Sequence, residues 1–292
     1  MPFPKGFEHI VREQEPLAPY TWLRIGGLAR FFCEPNTTEE LQAVVRQATA
    51  ETLPIRLLGG GSNLLVRENG VDGVVLWLSA PAFCHLHVND LQVTAGGGVK
   101  LAHLISRCAA EGLEGMEHLV GIPGTLGGAL HGNSGTLNGS IGDHLVSVRV
   151  MNSQGEVSSR PAQSLEFAHR KSSLDDLVIL DATFHLHRGD AKAIMQRLQT
   201  LWILKKSHQP PLATPSIIPF VDPAAESVAD LIRRSKIASP VEGKVRLSDS
   251  HPGYLTSAPG ATSDQVLALV HRVREAVAKS TGVQLRLHME VW

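Results

Sequence analysis

Two glycine-rich stretches about sixty residues apart set the tightest limits on what this chain can fold into: Gly59-Gly60-Gly61-Ser62-Asn63-Leu64 and Gly121-Ile122-Pro123-Gly124-Thr125-Leu126-Gly127-Gly128-Ala129. Apolar residues flank both, at 55–58 and 64–66 around the first and at Leu119 and Val120 before the second, so each reads as a turn set between buried elements. Glycine has no Cβ, so its backbone takes positive φ and approaches a ligand closely, and consecutive N–H groups can then converge on an anion. Two such turns could grip one diphosphate from two sides, with Ser62, Asn63 and Thr125 as side-chain donors. Neither stretch is a Gly-x-Gly-x-x-Gly fingerprint and neither ends in Lys-Ser/Thr, which excludes a P-loop nucleotidase.

At 292 residues the chain has room for two or three domains, each with its own core. A net charge of -1 and a pI near 6.9 give no bulk attraction to nucleic acid or to an anionic membrane, so an anionic ligand must be held locally. Cys33, Cys84 and Cys108 are widely spaced with no C-x-x-C partner, which predicts reduced, mostly buried thiols and a cytoplasmic protein. His85 and His87 alternate on an expected strand without a third ligand at metal-binding spacing, so no metal site is expected. No stretch approaches the ~18 apolar residues of a membrane span, and residues 1–10 lack the apolar core of an export signal. The expectation is a protein neither exported nor membrane-embedded.

Helical spacing of Leu41, Val44, Val45 and Ala48 after Thr37-Thr38-Glu39-Glu40 predicts a capped helix over 38–52. Strands are expected at 55–58, 64–66 and 74–78, making a small β-α-β-β unit, then at 91–95, 145–151, 156–158 and 177–186. Helices are expected at 101–111 and from 191 to about 206. Five prolines between 208 and 223 predict a stiff segment without regular structure. Helices over 228–235 and 264–278 and an alternating strand over 283–292 complete the pattern.

The order of the motifs is more specific than any one of them. Residues 20–30, reading Tyr20-Thr21-Trp22-Leu23-Arg24-Ile25-Gly26-Gly27-Leu28-Ala29-Arg30, precede the two glycine turns. Asn133 and Gly135, Ala168-His169-Arg170-Lys171-Ser172, Gln209-Pro210, Ala261-Thr262-Ser263-Asp264 and Met289-Glu290-Val291 follow in that sequence. Over nearly the whole chain this resembles the UDP-N-acetylenolpyruvoylglucosamine reductase family, in its branch without a tyrosine-bearing insertion. The resemblance implies an α+β protein with a two-subdomain FAD-binding fold of the vanillyl-alcohol-oxidase/PCMH type and a C-terminal α+β substrate domain. The boundaries expected are 1–80, 81–188 and 189–292. It implies FAD held by Gly59 through Leu64, by Gly121, Ile122, Pro123, Gly124, Thr125, Gly127, Gly128 and Ala129, and by Asn133. NADPH is the implied co-substrate, and a UDP-sugar the partner of a monomeric protein with no nucleic acid or membrane partner.

Hydride arriving at a conjugated enol carboxylate builds charge that a fixed cation stabilises, and the neighbouring carbon then needs a proton. By the resemblance Arg170 takes the first role and Glu290 polarises or protonates the enolate, with His288 at that position under a shifted register. The chain departs from the family at the proton donor: Ile218 stands where its serine is expected, in Ile217-Ile218-Pro219-Phe220-Val221-Asp222-Pro223. Ser216, His169 and a bound water are the replacements considered. His169 also replaces a tyrosine before Arg170, and His131 is read as a packed or solvent-facing histidine, not a covalent flavin anchor. Two readings therefore stand, an active reductase and an FAD-binding homologue whose activity is lost or changed.

Overall fold

The computed structural model describes residues 3–136, 138–211, 213–223, 226–237 and 241–292. They form two compact units, one made of residues 1–14, 30–60 and 72–205, the other of 15–29, 61–71 and 206–292.

The first unit is built on two sheets. A four-stranded sheet runs in the order Val11–Pro16, Leu28–Cys33, Val71–Trp77, Ile55–Leu58, and its last pair is parallel with Ile55 opposite Val74. Helix Thr38–Ala50 covers it because Leu41, Val44, Val45 and Ala48 fall on one stripe, each fully buried. Its first turn is closed by the Thr37 hydroxyl, which accepts from the Glu40 amide at 3.2 Å, as the sequence predicts. The second sheet is antiparallel, in the order Val157–Pro161, Leu145–Met151, Val178–His185, Gln92–Gly96, Leu86–Asn89. Helix Leu101–Ala110 lays Leu101, Leu104, Ile105 and Cys108 into the same core as Val93, Val148 and Phe184.

Burial pushes the Cys33 and Cys108 thiols up to about 12, which leaves almost no thiolate at neutral pH. Cys84 is exposed. A disulfide-exchange reagent at pH near 8 is therefore expected to label Cys84 alone in the folded protein and all three cysteines after denaturation. Rapid labelling of a second thiol without unfolding contradicts the buried assignment.

The second unit carries a four-stranded sheet in the order Ser216–Ile217, Leu255–Ser257, Val245–Leu247, Val241–Glu242. Helices Val228–Ser235 and Ser263–Thr281 form its core through Leu231, Ile232, Val266, Leu269, Val270, Val273 and Val277, with Leu23, Ile25, Phe220 and Met289. Thr262 and Gln265 close the longer helix with a capping box, and Gly282 ends it at φ +75°.

Two expectations are corrected here. The proline-rich segment is not wholly irregular: Ser216 pairs with Thr256 and Ile217 with Leu255, because these two residues fall between Pro215 and Pro219 and keep free amides. Leu212 of that segment lies outside the described residues. The final strand covers only Glu290–Val291, not 283–292, because it pairs in parallel with an equally short strand, Leu64–Leu65.

At the start of the longer helix, Glu68 accepts from the Ser263 amide at 2.6 Å and from the Ser263 hydroxyl. Burial works against its ionisation, but these two hydrogen bonds outweigh it and hold the carboxyl below its ordinary 4.5. A carboxylate depressed in the folded state contributes stability above its unfolded pKa and loses it as pH falls through the folded value. Urea midpoints measured from pH 7 to pH 3 are thus expected to fall more steeply in the native protein than in Glu68→Gln. Parallel curves remove this carboxylate from the acid response.

Candidate flavin and substrate site

In the first unit, strand Ile55–Leu58 delivers Gly59 and Gly60 against the second glycine turn. A Cβ on Gly60 would lie 2.6 Å from the Gly124 Cα, and one on Gly59 would lie 3.0 Å from the Thr125 hydroxyl oxygen. No side chain fits between two main chains at that spacing. The second turn is seated from behind by a third glycine run, since the Gly127 amide donates to Gly97 O and the Leu126 amide to Val99 O, both at 2.8 Å. The Thr125 hydroxyl accepts from the Gly128 amide at 3.4 Å and starts the short helix Leu126–His131.

The amides of Gly59, Gly60, Gly124 and Thr125 donate to no other group among the described residues. Main-chain donors left this way require water or a ligand. Donors gathered at two abutting turns suit an anionic group. On the same unit, Asn133, His169 and Arg170 line an open cavity of about 300 Å³. Arg170 sits at the tip of a hairpin in which Phe167 faces Ser172 and Ala168 faces Lys171, and its φ is +57°. A left-handed arginine costs about 1–2 kcal/mol, and such strain persists where the surrounding structure imposes it.

The sequence reading missed Lys205. Its stem lies over Gly121, whose Cβ would come within 3.1 Å of the lysine Cβ, and burial followed by the nearby Arg170 charge pulls its ammonium below the ordinary 10.5. The signal available was Lys205-Lys206 just before Gln209-Pro210. His131 Nδ1 donates to the Leu174 carbonyl at 3.0 Å, a structural contact. Among the described residues, no group of three metal-ligating side chains is close enough to hold an ion.

In the second unit, the rest of the first turn is held by the motif at 20–27. A Cβ on Gly61, which has φ +62°, would meet the Tyr20 carbonyl oxygen at 1.9 Å, and the Trp22 amide donates to Gly61 O at 3.1 Å. The Asn63 side-chain amide donates to His288 O at 2.8 Å, and the Glu290 amide donates to Asn63 O at 2.9 Å. Glu290 therefore stands beside Leu64, its carboxylate accepting from the Trp292 indole at 2.9 Å. Ser216 is buried at 6% exposure, whereas Ile218 is 38% exposed.

A family profile described as an FAD binding domain matches residues 29–159, and one described as the C-terminal domain of UDP-N-acetylenolpyruvoylglucosamine reductase matches 211–292. The chain is 40% identical over 290 residues to the UDP-N-acetylenolpyruvoylglucosamine reductase of Rhodopirellula baltica, spanning 99% of this chain and 95% of that protein. It belongs to the UDP-N-acetylenolpyruvoylglucosamine reductase family. A member of this reductase family from Listeria monocytogenes is 32% identical over 289 residues, 98% of this chain and 96% of the relative. The crystal structure of the Thermus caldophilus reductase matches 97% of this chain and 98% of its own with a TM-score of 0.81 at 31% identity. The fold is thus the FAD-binding one implied by the resemblance, followed by the reductase family's C-terminal domain.

Proposed function

We propose that the protein catalyses the NADPH-dependent reduction of UDP-N-acetylglucosamine enolpyruvate to UDP-N-acetylmuramate, a step of peptidoglycan synthesis, as a cytoplasmic monomer. The observation that carries the reading is the abutment of Gly60 on Gly124 with unpaired amides on both turns, in a chain 40% identical to a reductase across 99% of its length. FAD fits there: the turns offer main-chain donors to its diphosphate, and Gly128 leaves open space, since a Cβ on it would meet only the Thr125 hydroxyl at 3.6 Å. The residues proposed to hold it are Gly59 to Leu64, Gly121 to Ala129 and Asn133.

When bound, FAD would supply the hydride, taken from NADPH, that reduces the enolpyruvyl double bond at its methylene carbon. Arg170 grips the substrate carboxylate in bidentate fashion and stabilises the charge that develops there. Glu290 polarises the enolate. The carbon bearing the carboxylate takes a proton, for which we propose the Ser216 hydroxyl. Lys205 adds a second cation near Arg170, which favours an anionic substrate on this side of the first unit.

Purified protein is expected to be yellow, with FAD near one equivalent and NADPH oxidation that depends on the enolpyruvyl sugar. Flavin that NADPH reduces but the sugar does not reoxidise identifies a flavin-binding relative that lacks this activity. Forcing a methyl group between the turns tests the cofactor site. Overpacking costs about 1–3 kcal/mol, so Gly60→Ala is expected to weaken FAD binding about 10- to 100-fold, read as flavin lost on desalting. Full retention of FAD by that variant counts against the abutting turns as the cofactor site.

A further inference from the structure

Asn133 is 7% exposed, and its side-chain oxygen is buried with no hydrogen-bond donor. The other end of the same amide is fixed: Nδ2 donates to Ala168 O at 2.9 Å, and since a carbonyl only accepts, the end facing Ala168 must be the NH2. The unsatisfied atom is therefore Oδ1, on a residue that lines the cavity shared with Arg170. An unsatisfied buried acceptor costs about 1–3 kcal/mol, so its persistence points to a donor that the polypeptide does not provide.

Asn133 is also one of the links between two functional segments. It follows the helix Leu126–His131 of the second glycine turn and stands at φ +40°, a conformation asparagine tolerates better than most residues. Through Ala168 it holds the base of the hairpin whose tip is Arg170. A second link runs from the Ser172 hydroxyl to His131 O at 2.8 Å, on the opposite strand of that hairpin. The arginine is thus referred to the glycine turn by side-chain bonds on both strands.

Building on the reductase reading above, we infer that Asn133 is a positioning residue: Oδ1 accepts a hydrogen bond from bound flavin while Nδ2 sets the backbone that aims Arg170. Seating of the cofactor and placement of the carboxylate-binding guanidinium are then one event, carried by one side-chain amide.

Two variants of the FAD-loaded enzyme test this by stopped flow. Asn133→Gly keeps the backbone conformation and removes both bonds. It is expected to raise the FAD dissociation constant about 3- to 10-fold and to slow reoxidation by the enolpyruvyl sugar about 100-fold through misplacement of Arg170, a larger loss than in reduction by NADPH. Asn133→Asp keeps an acceptor and loses the donor to Ala168, so FAD affinity should hold while sugar-dependent reoxidation still falls. Equal loss in both half-reactions together with a lowered Tm overturns the proposal in favour of a purely structural residue. So does native behaviour of Asn133→Gly in both FAD affinity and reoxidation. If the native enzyme itself is not reoxidised by the sugar, the reductase reading fails separately, and the FAD affinities of the two variants still decide whether Oδ1 meets the flavin.

Discussion

Arg170→Ala is expected to slow reoxidation of the reduced flavin by the enolpyruvyl sugar about 100- to 1,000-fold, the usual loss when a fixed donor to developing negative charge is removed. Reduction by NADPH should stay near the native rate, because the carboxylate is absent from that half-reaction. Arg170→Lys should fall between, since it keeps the charge but not the two-point grip. The left-handed φ of +57° adds a stability test. Glycine adopts that conformation freely, whereas alanine is strained there, so Arg170→Gly should be more stable than Arg170→Ala by about 1 kcal/mol while equally inactive. Sugar reduction that survives in both variants removes Arg170 from the chemistry. A glycine variant no more stable than the alanine one removes the strain.

Ser216→Ala is expected to lower sugar-dependent turnover about 100- to 10,000-fold, the range for loss of a positioned proton donor. The substitution deletes only a hydroxyl from a residue already 6% exposed and leaves the pairing with Thr256 through the main chain, so folding is a weak objection. Flavin reduction by NADPH should again be untouched. Turnover at the native level would pass the proton to His169 or to water. Two residues shortly after Ser216 have structural roles in the second unit. Val221 is buried at 8% exposure, and Asp222 accepts from the Val228 amide at 2.8 Å at the start of helix Val228–Ser235.

The helices at 38–50, 101–110 and 263–281 were legible because their apolar residues recur at a helical period, and the first and last are capped by Thr37 and Thr262. The glycine turns were legible for a different reason: Gly60 and Gly61 occupy places where any side chain collides with main chain, and such places admit one residue only. The motif at 20–27 was recognised without its purpose, which is to fold around Gly61. What could not be read depends on distant partners. Glu68 meets Ser263 almost two hundred residues along the chain, and Lys205 is perturbed by Arg170 and pressed on Gly121. The strand at 11–16 carries charged residues on exposed positions, the one at 28–33 is a mostly buried run, and neither alternates cleanly, so periodicity did not find them.

Where Gly60 meets Gly124, two backbones are parted by hydrogen atoms alone, and nothing remains there to trim or to enlarge. Evolution or a protein engineer seeking a different cofactor preference must therefore leave those two positions untouched and work through the side chain beside them, the Thr125 hydroxyl. Adaptability in this enzyme is confined to the rim of its tightest crossing.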